Sequence, residues 1–239
     1  MDKLLIALDV DSGSRALALA DELRDLAGGF KVGNRLFTRE GPSLVRRLVD
    51  GGSRVFLDLK FHDIPNTVAE AVESAVETGA WMINVHASGG SAMLQAAARA
   101  AAAATPVGAR PPLVIAVTVL TSLDEHALRQ TGVDRPLADQ VLALARLAKA
   151  AGLDGVVASP LETSAIRNAL GPGFVIVTPG IRGQSAGTDR HDQARALGPA
   201  DALRAGATYI VVGRPVIAAP SPRAAAEAIA EELMAATSP

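Results

Sequence analysis

The 239-residue sequence contains no cysteine, which excludes disulfides, thiolate nucleophiles and cysteine-built zinc or iron–sulfur centres together. Its four histidines, His62, His86, His126 and His191, are scattered and form no HExxH or other close ligand spacing. A histidine-built metal centre is therefore not expected, although carboxylates could still hold a hard cation. Charge of one sign is also missing: the net charge is −2 and the isoelectric point about 6.1. No broad positive field exists for nucleic acid or an anionic membrane, so any bound anion must be held locally. Long apolar runs are absent as well. The amino-terminal run Leu4 to Leu8 is followed by Asp9 and Asp11, which fits neither a signal peptide nor a membrane span. A cytoplasmic protein is the expectation.

What is present is a chain with 49% apolar and 20% charged residues, enough for a packed core and unlike a disordered segment. No linker, charge block or repeat interrupts it, so a single domain over residues 1–239 is expected. Apolar runs of strand character recur about eight times, each followed by an Ala/Leu-rich segment of helical period and a Gly or Pro stop. The runs are Leu4 to Asp9, Phe30 to Gly33, Val55 to Lys60, Met82 to His86, Leu113 to Leu120, Gly155 to Ser159, Phe174 to Thr178 and Tyr209 to Gly213. Several are apolar almost throughout, as strands buried on both faces should be. Amphipathic stretches lie between them, including Arg15 to Leu26, Val68 to Glu77 and Leu137 to Ala150. The Ala-rich segment Gln95 to Thr105 reads as a strong helix former. This βα rhythm predicts a (β/α)₈ barrel. A doubly wound sheet is the alternative, but the first strand ends in Asp9-Val10-Asp11 without a glycine-rich nucleotide loop.

In a barrel the active site lies at the carboxyl ends of the strands. Those ends carry Asp9, Lys31, Asp58, Lys60, His86, Thr121, Thr178-Pro179-Gly180 and Gly213-Arg214. Asp9, Lys31, Asp58 and Lys60 sit within or directly after apolar runs, where an unpaired buried charge costs several kcal/mol. They are expected to pair with one another. The densest cluster is Asp58-Leu59-Lys60-Phe61-His62-Asp63. On a regular strand Asp58 and Lys60 share a face, with Asp63 close by on the following loop. Carboxylates on both sides of Lys60 would favour its charged form, which suits a proton donor or electrostatic anchor better than a Schiff-base nucleophile. The plainer reading of the same cluster is a structural ion pair at the barrel rim.

A second cluster lies after the seventh and eighth strands, the common phosphate-binding region of barrels. Gly213 permits close backbone approach, and Arg214 and Arg182 supply forked cationic donors. The polar stretch Gly183 to His191 reads as a lid over the anion. Plainer readings cover other polar residues: His62 and His86 support the site without reacting, His126 and His191 are solvated, and Asp11, Asp124 and Asp139 are caps or surface charges.

Seven segments then align in order with one family. Ala7-Leu8-Asp9, Phe30-Lys31-Val32-Gly33, Asp58 to Thr67 (DLKFHDIPNT), Val117 to Ser122 (VTVLTS), Thr178 to Arg182 (TPGIR), Asp192-Gln193-Ala194-Arg195 and Val212-Gly213-Arg214-Pro215 span essentially the whole chain. In these segments the sequence resembles the bacterial orotidine 5′-monophosphate decarboxylases. The resemblance implies a homodimer that converts orotidine 5′-monophosphate to uridine 5′-monophosphate and carbon dioxide in pyrimidine synthesis, with neither metal nor organic cofactor. It also implies residue roles. Asp9 and Lys31 would bind the ribose hydroxyls, Lys31 also joining the carboxylate network. Lys60 would protonate C6 as carbon dioxide leaves, and Asp58 would lie against the substrate carboxylate. Asp63 and Thr67 would reach into the partner's site. Thr121 would read the pyrimidine edge and Pro179 would belong to the substrate pocket. Arg182, Gln193 (rather than Gln184), Gly213 and Arg214 would hold the phosphate. A magnesium-dependent sugar-phosphate synthase or decarboxylase of the same barrel group, and a non-catalytic phosphate-ligand binding barrel, are the competing functions.

Overall fold

The computed structural model describes residues 2–179 and 198–237. Eight parallel strands close into a barrel in sequence order: β1 (Leu4–Ala7), β2 (Gly29–Gly33), β3 (Val55–Phe61), β4 (Met82–His86), β5 (Leu113–Val117), β6 (Gly155–Val157), β7 (Val175–Thr178) and β8 (Tyr209–Val212). β1 pairs with both β2 and β8, which closes the ring and leaves no sheet edge. The (β/α)₈ expectation therefore holds and the doubly wound alternative is excluded.

The apolar runs mark every strand, and the ends differ by a few residues. The fifth run extends to Leu120 in the sequence, whereas β5 stops at Val117. Beyond it the chain turns, and the Thr118 hydroxyl donates to the Val157 carbonyl at 2.9 Å. Each end shaved from a strand becomes part of the rim. The four helical stretches expected from the sequence fold as the helices Gly13–Leu23, Pro65–Val76, Gly90–Ala104 and Leu137–Ala150, the first three starting earlier than their sequence patterns. Proline at the first turn of Pro65–Val76 and serine at the cap of Gly13–Leu23, whose side chain accepts from the Arg15 amide, place their starts. Asp124 caps the short helix Glu125–Gln130 through the Ala127 amide at 2.8 Å, in line with its reading as a cap. No described helix is long and apolar enough to cross a membrane.

Period-2 alternation divides each strand between two cores. Leu4, Ile6 and Leu8 face outward and pack with Leu19, Leu23 and Ile229 of the surrounding helices. Leu5, Ala7, Phe56, Met82, Ile115, Val177 and Val211 fill the barrel itself. The sole tryptophan and the sole tyrosine close the amino-terminal end of the barrel. Trp81 and Tyr209 meet edge to face at 5.2 Å, and the Arg54 guanidinium stands 4.7 Å over the indole. The filled interior leaves the carboxyl-terminal mouth for chemistry.

One half-buried cation holds the β7–β8 side of the barrel. Arg167, in the helix Pro160–Leu170, donates to the carbonyls of Gly206, Gly171, Pro172 and Phe174 and to the Thr208 hydroxyl, at 2.7–3.0 Å. Its guanidinium thus ties a helix carboxyl terminus to the starts of two strands, and burial pulls its pKa below the usual value. Bonds to a charged group contribute roughly 1.5–3 kcal/mol each in favourable cases. Arg167→Ala is expected to lower unfolding stability by about 2–4 kcal/mol, since the carbonyls regain water only in part. Arg167→Lys should recover less than half of that loss, because an ammonium cannot fork. Urea unfolding followed by Trp81 fluorescence measures both.

Candidate active site

Inward-facing positions follow from the alternation. Ala7 and then Asp9 face the barrel axis from β1, Lys31 from β2, and Phe56 and then Asp58 from β3. The register sets Ala7 beside Lys31 and Gly33 beside Asp58. Three adjacent strand ends thereby deliver a chain of alternating charges. The Lys31 ammonium lies 3.2 Å from Asp9 Oδ1 and 3.3 Å from Asp58 Oδ2, and Lys60 Nζ lies 2.6 Å from Asp58 Oδ1. Asp58 and Lys31 are 8% and 9% exposed, whereas the side chains of Asp9 and Lys60 are 50% and 31% exposed. The array is sealed at its middle and open at both ends, where a ligand has access.

Its energetics follow from the order of charges. Two cations and two anions alternate and sum to zero. Removing either partner of a buried pair typically costs 3–5 kcal/mol, because the other charge is left in a medium that solvates it poorly. Gly33 keeps room for this arrangement: a Cβ there would sit 3.0 Å from Lys31 Nζ.

Lys60 is reached differently from the sequence expectation. Regular alternation does not carry it beside Asp58; its φ of 55° is the only positive value at a non-glycine residue among those described. The β3–β4 register shifts between Leu57 and Phe61, so this stretch bulges. The Lys60 amide donates to Asn84 Oδ1 at 2.8 Å, and Asn84 Nδ2 donates to Asp58 Oδ1 at 2.7 Å. Asn84, fully buried in β4, was not among the sequence candidates. Its signal was an amide set in the apolar run Met82 to His86, a position that must find partners if buried.

Asp63 stands apart from the array. It is exposed, its Oδ1 accepts from the Ile64 amide at 2.6 Å, and among the described residues Asp58 is the one carboxylate in ion-pair contact with Lys60. The sequence expectation of carboxylates on both sides of Lys60 is thus corrected for the single chain. Thr67, in the first turn of Pro65–Val76, is exposed as well. Thr121 follows β5 and Pro179 follows β7, both half-buried. Thr178 turns away from the mouth: its hydroxyl is 3.3 Å from that of Thr163 in the helix Pro160–Leu170. Gly213 sits by the β1 end, where a Cβ would lie 3.4 Å from Ala7 Cβ and 3.6 Å from Asp9 Oδ2. These are ordinary contacts, so barrel packing alone does not require glycine there. Arg214 opens the short helix Arg214–Ile217 and is exposed. Gly180, Arg182, Gln193, Gln184 and the proposed lid Gly183 to His191 lie outside the described residues. Among the described residues no three His, Asp or Glu side chains group as metal ligands.

His86, at the end of β4, is half-buried with its ring centroid 5.3 Å from that of His62. Burial, and then the neighbouring His62 and Lys60, push its pKa below the ordinary 6.5, against a smaller opposing pull from Asp58. A depressed histidine pKa means that the unfolded chain takes up the proton first, so this contribution to stability is present above pH 6.5 and declines as pH falls below it. Urea midpoints taken down to about pH 5.5 should therefore fall more steeply for the wild type than for His86→Gln, by up to about 1 kcal/mol per pH unit.

A family model described as orotidine 5′-phosphate decarboxylase / HUMPS family matches residues 2–229. The chain is 57% identical over 234 residues to an orotidine 5′-phosphate decarboxylase of Moorella thermoacetica, covering 97% of this chain and 92% of the relative. It is 53% identical over 235 residues to one of Syntrophotalea carbinolica, covering 98% and 96%. Among solved structures, orotidine 5′-phosphate decarboxylase from Lactobacillus acidophilus superposes with a TM-score of 0.85 at 39% identity, covering 97% of this chain and 98% of that one. From its sequence and its barrel alike, the chain belongs to the orotidine 5′-phosphate decarboxylase / HUMPS family.

Proposed function

We propose that the protein decarboxylates orotidine 5′-monophosphate to uridine 5′-monophosphate and carbon dioxide in pyrimidine synthesis, with Lys60 as the proton donor to C6. The observation that carries this reading is the Asp9–Lys31–Asp58–Lys60 array, buried at its middle and open at its ends. Loss of carbon dioxide leaves an electron pair in an in-plane orbital at C6, which the ring does not delocalise. A cation held at that carbon both offsets the developing charge and supplies the proton that ends the reaction. The C6–carboxylate bond breaks, its electrons stay on C6, and Lys60 becomes neutral as its proton is transferred. Lys60 is suited to this task because its ammonium is held by Asp58 yet still reaches solvent.

The array cannot supply the whole acceleration. Opposite unit charges 4 Å apart interact by about 4 kcal/mol at an effective dielectric of 20, against about 8–23 kcal/mol for enzymes generally. Binding energy from the distant phosphate, gathered by Gly213 and Arg214 together with Arg182 and Gln193, completes the account by fixing the reacting carbon over Lys60. Asp9 and Lys31 take the ribose hydroxyls, Thr121 the pyrimidine edge, and Pro179 lines the pocket. The reaction in this reading uses no metal or organic cofactor, and the protein works in the cytoplasm.

The working unit is a homodimer in which Asp63 and Thr67 of one subunit complete the other's site. Supporting this is their shared exposure on one loop and helix start, with Ile64 between them 66% exposed. A third carboxylate from a second copy would restore the two-sided arrangement around Lys60.

Purified protein mixed with orotidine 5′-monophosphate in excess chelator is expected to consume the orotate chromophore at the rate seen without chelator. Lys60→Ala should lower kcat by on the order of 10⁴-fold. Absence of turnover in folded wild-type protein would reject the reading, and chelator-sensitive turnover would redirect it to a metal-dependent enzyme of the same barrel group. Mixed dimers of Asp63→Ala and Lys60→Ala chains, each parent nearly inactive, should regain about a quarter of wild-type activity on random pairing, since a two-fold dimer then holds one intact site. No recovery despite subunit exchange would confine each site to one chain.

A further inference from the structure

We propose that Asn84 is the positioning residue of the reaction centre: its carboxamide holds the Lys60 backbone in its left-handed conformation and fixes the Asp58 carboxylate that Lys60 faces. The role rests on the decarboxylase reading for its catalytic consequence, and on β3–β4 geometry for the rest.

The β3–β4 pairing runs Phe56 with Met82 and Leu57 with Ile83, and resumes at Phe61 with Val85. Four residues advance along β3 while two advance along β4, so two residues of β3 are extruded. The extruded stretch contains Asp58 and Lys60. A bulge takes its amides off the ladder, and Lys60 adopts φ 55°, a region that side chains with a Cβ rarely enter without compensation. Asn84 supplies that compensation from across the bulge. Its Oδ1 accepts from the Lys60 amide at 2.8 Å, and its Nδ2 donates at 2.7 Å to Asp58 Oδ1, the same oxygen that receives Lys60 Nζ at 2.6 Å. The three bonds form a closed ring through one backbone amide, one carboxamide, one carboxylate and one ammonium.

The ring also sets which way the amide lies. Reversing it would face NH₂ against the Lys60 N–H and oxygen against the Asp58 carboxylate, two repulsive contacts. Asn84 is 0% exposed, so water does not substitute for either bond. With the lysine's backbone and its carboxylate both tied to one side chain of the neighbouring strand, Nζ has a defined origin and a defined partner. Proton transfer is sensitive to such placement, and a displacement of 1 Å can cost about 10²-fold in rate.

Two substitutions separate positioning from bulk structure. Asn84→Ala removes both bonds. Asn84→Asp keeps the shape, but as an anion it repels Asp58; as a neutral acid, its carbonyl accepts from the Lys60 amide while its O–H donates to Asp58. The groups that set its titration are Asp58 and Lys60 from β3, Lys31 from β2, and His86 on β4 with His62 beside it. β5, on the other side, contributes no titratable side chain. Lys31 and Lys60 lower a carboxyl's pKa but are already paired with Asp9 and Asp58, so burial and the like charge of Asp58 prevail and this acid becomes neutral as pH falls through a range above the ordinary carboxylate value.

Steady-state turnover of orotidine 5′-monophosphate is measured across pH, with Trp81 fluorescence as the folding control. Asn84→Ala should lose about 10- to 100-fold in kcat with KM changed less than about threefold. Asn84→Asp should show a comparable loss at neutral pH, with kcat relative to wild type recovering as pH falls. Independently of activity, the Lys60 amide should be protected from hydrogen exchange in the wild type and exposed in Asn84→Ala, while the Ile83 and Val85 amides of β4 keep their protection. A kcat for Asn84→Ala within twofold of wild type, a loss in Asn84→Asp that does not change with pH, or unchanged exchange at Lys60 would overturn the proposal. If folded wild-type protein fails to decarboxylate, the functional reading falls by itself, and the exchange result still decides whether Asn84 holds Lys60.

Discussion

A single carboxylate, that of Asp58, is the constraint on which the site depends. It is buried, and a buried anion is tolerated only when its oxygens are satisfied. Lys31 takes one oxygen, while Lys60 and Asn84 share the other. Every one of these partners comes from a different position on β2, β3 or β4, so satisfying Asp58 specifies how three strand ends must sit. The exposed ends of the array, at Asp9 and Lys60, are then the places where a ligand can exchange water for contact.

The rest of the barrel serves that arrangement. Its interior is packed by aliphatic side chains and closed at the amino-terminal end by Trp81, Tyr209 and Arg54, so polar groups collect at the other end. Arg167 performs the analogous task away from the mouth, gathering five neutral oxygens around one cation where β7 and β8 begin. In both places a fixed charge organises groups from separate elements. The difference is exposure to ligand: Arg167 is spent on backbone carbonyls, whereas Lys60 has one side left open.

Local order at Lys60 departs from strand regularity. Asp58 and Lys60 do meet, as their spacing suggests, but through an extruded stretch with a left-handed lysine in place of simple alternation. The departure is stabilised from the neighbouring strand by Asn84. Asp63 shows the opposite relation: near Lys60 in sequence, it lies outside the array of its own chain and is exposed. Proximity along the chain therefore does not place Asp63 beside Lys60 within one chain, and it gave no sign of Asn84.

The amino-acid sequence by itself determined the eight strands, the barrel, and the charged residues that line its mouth. These are carried by local patterns, namely apolar runs, helical period and charges set where burial demands a partner. Strand ends were legible only to within a few residues: the apolar run continues to Leu120, whereas β5 stops at Val117 and Thr118 meets the Val157 carbonyl of β6. Tertiary structure alone decided which charges pair, that β3 bulges, and that Asn84 completes the ring. The physical reason is that these follow from register between strands separated by more than twenty residues, and a local pattern contains no information about the offset at which two strands meet.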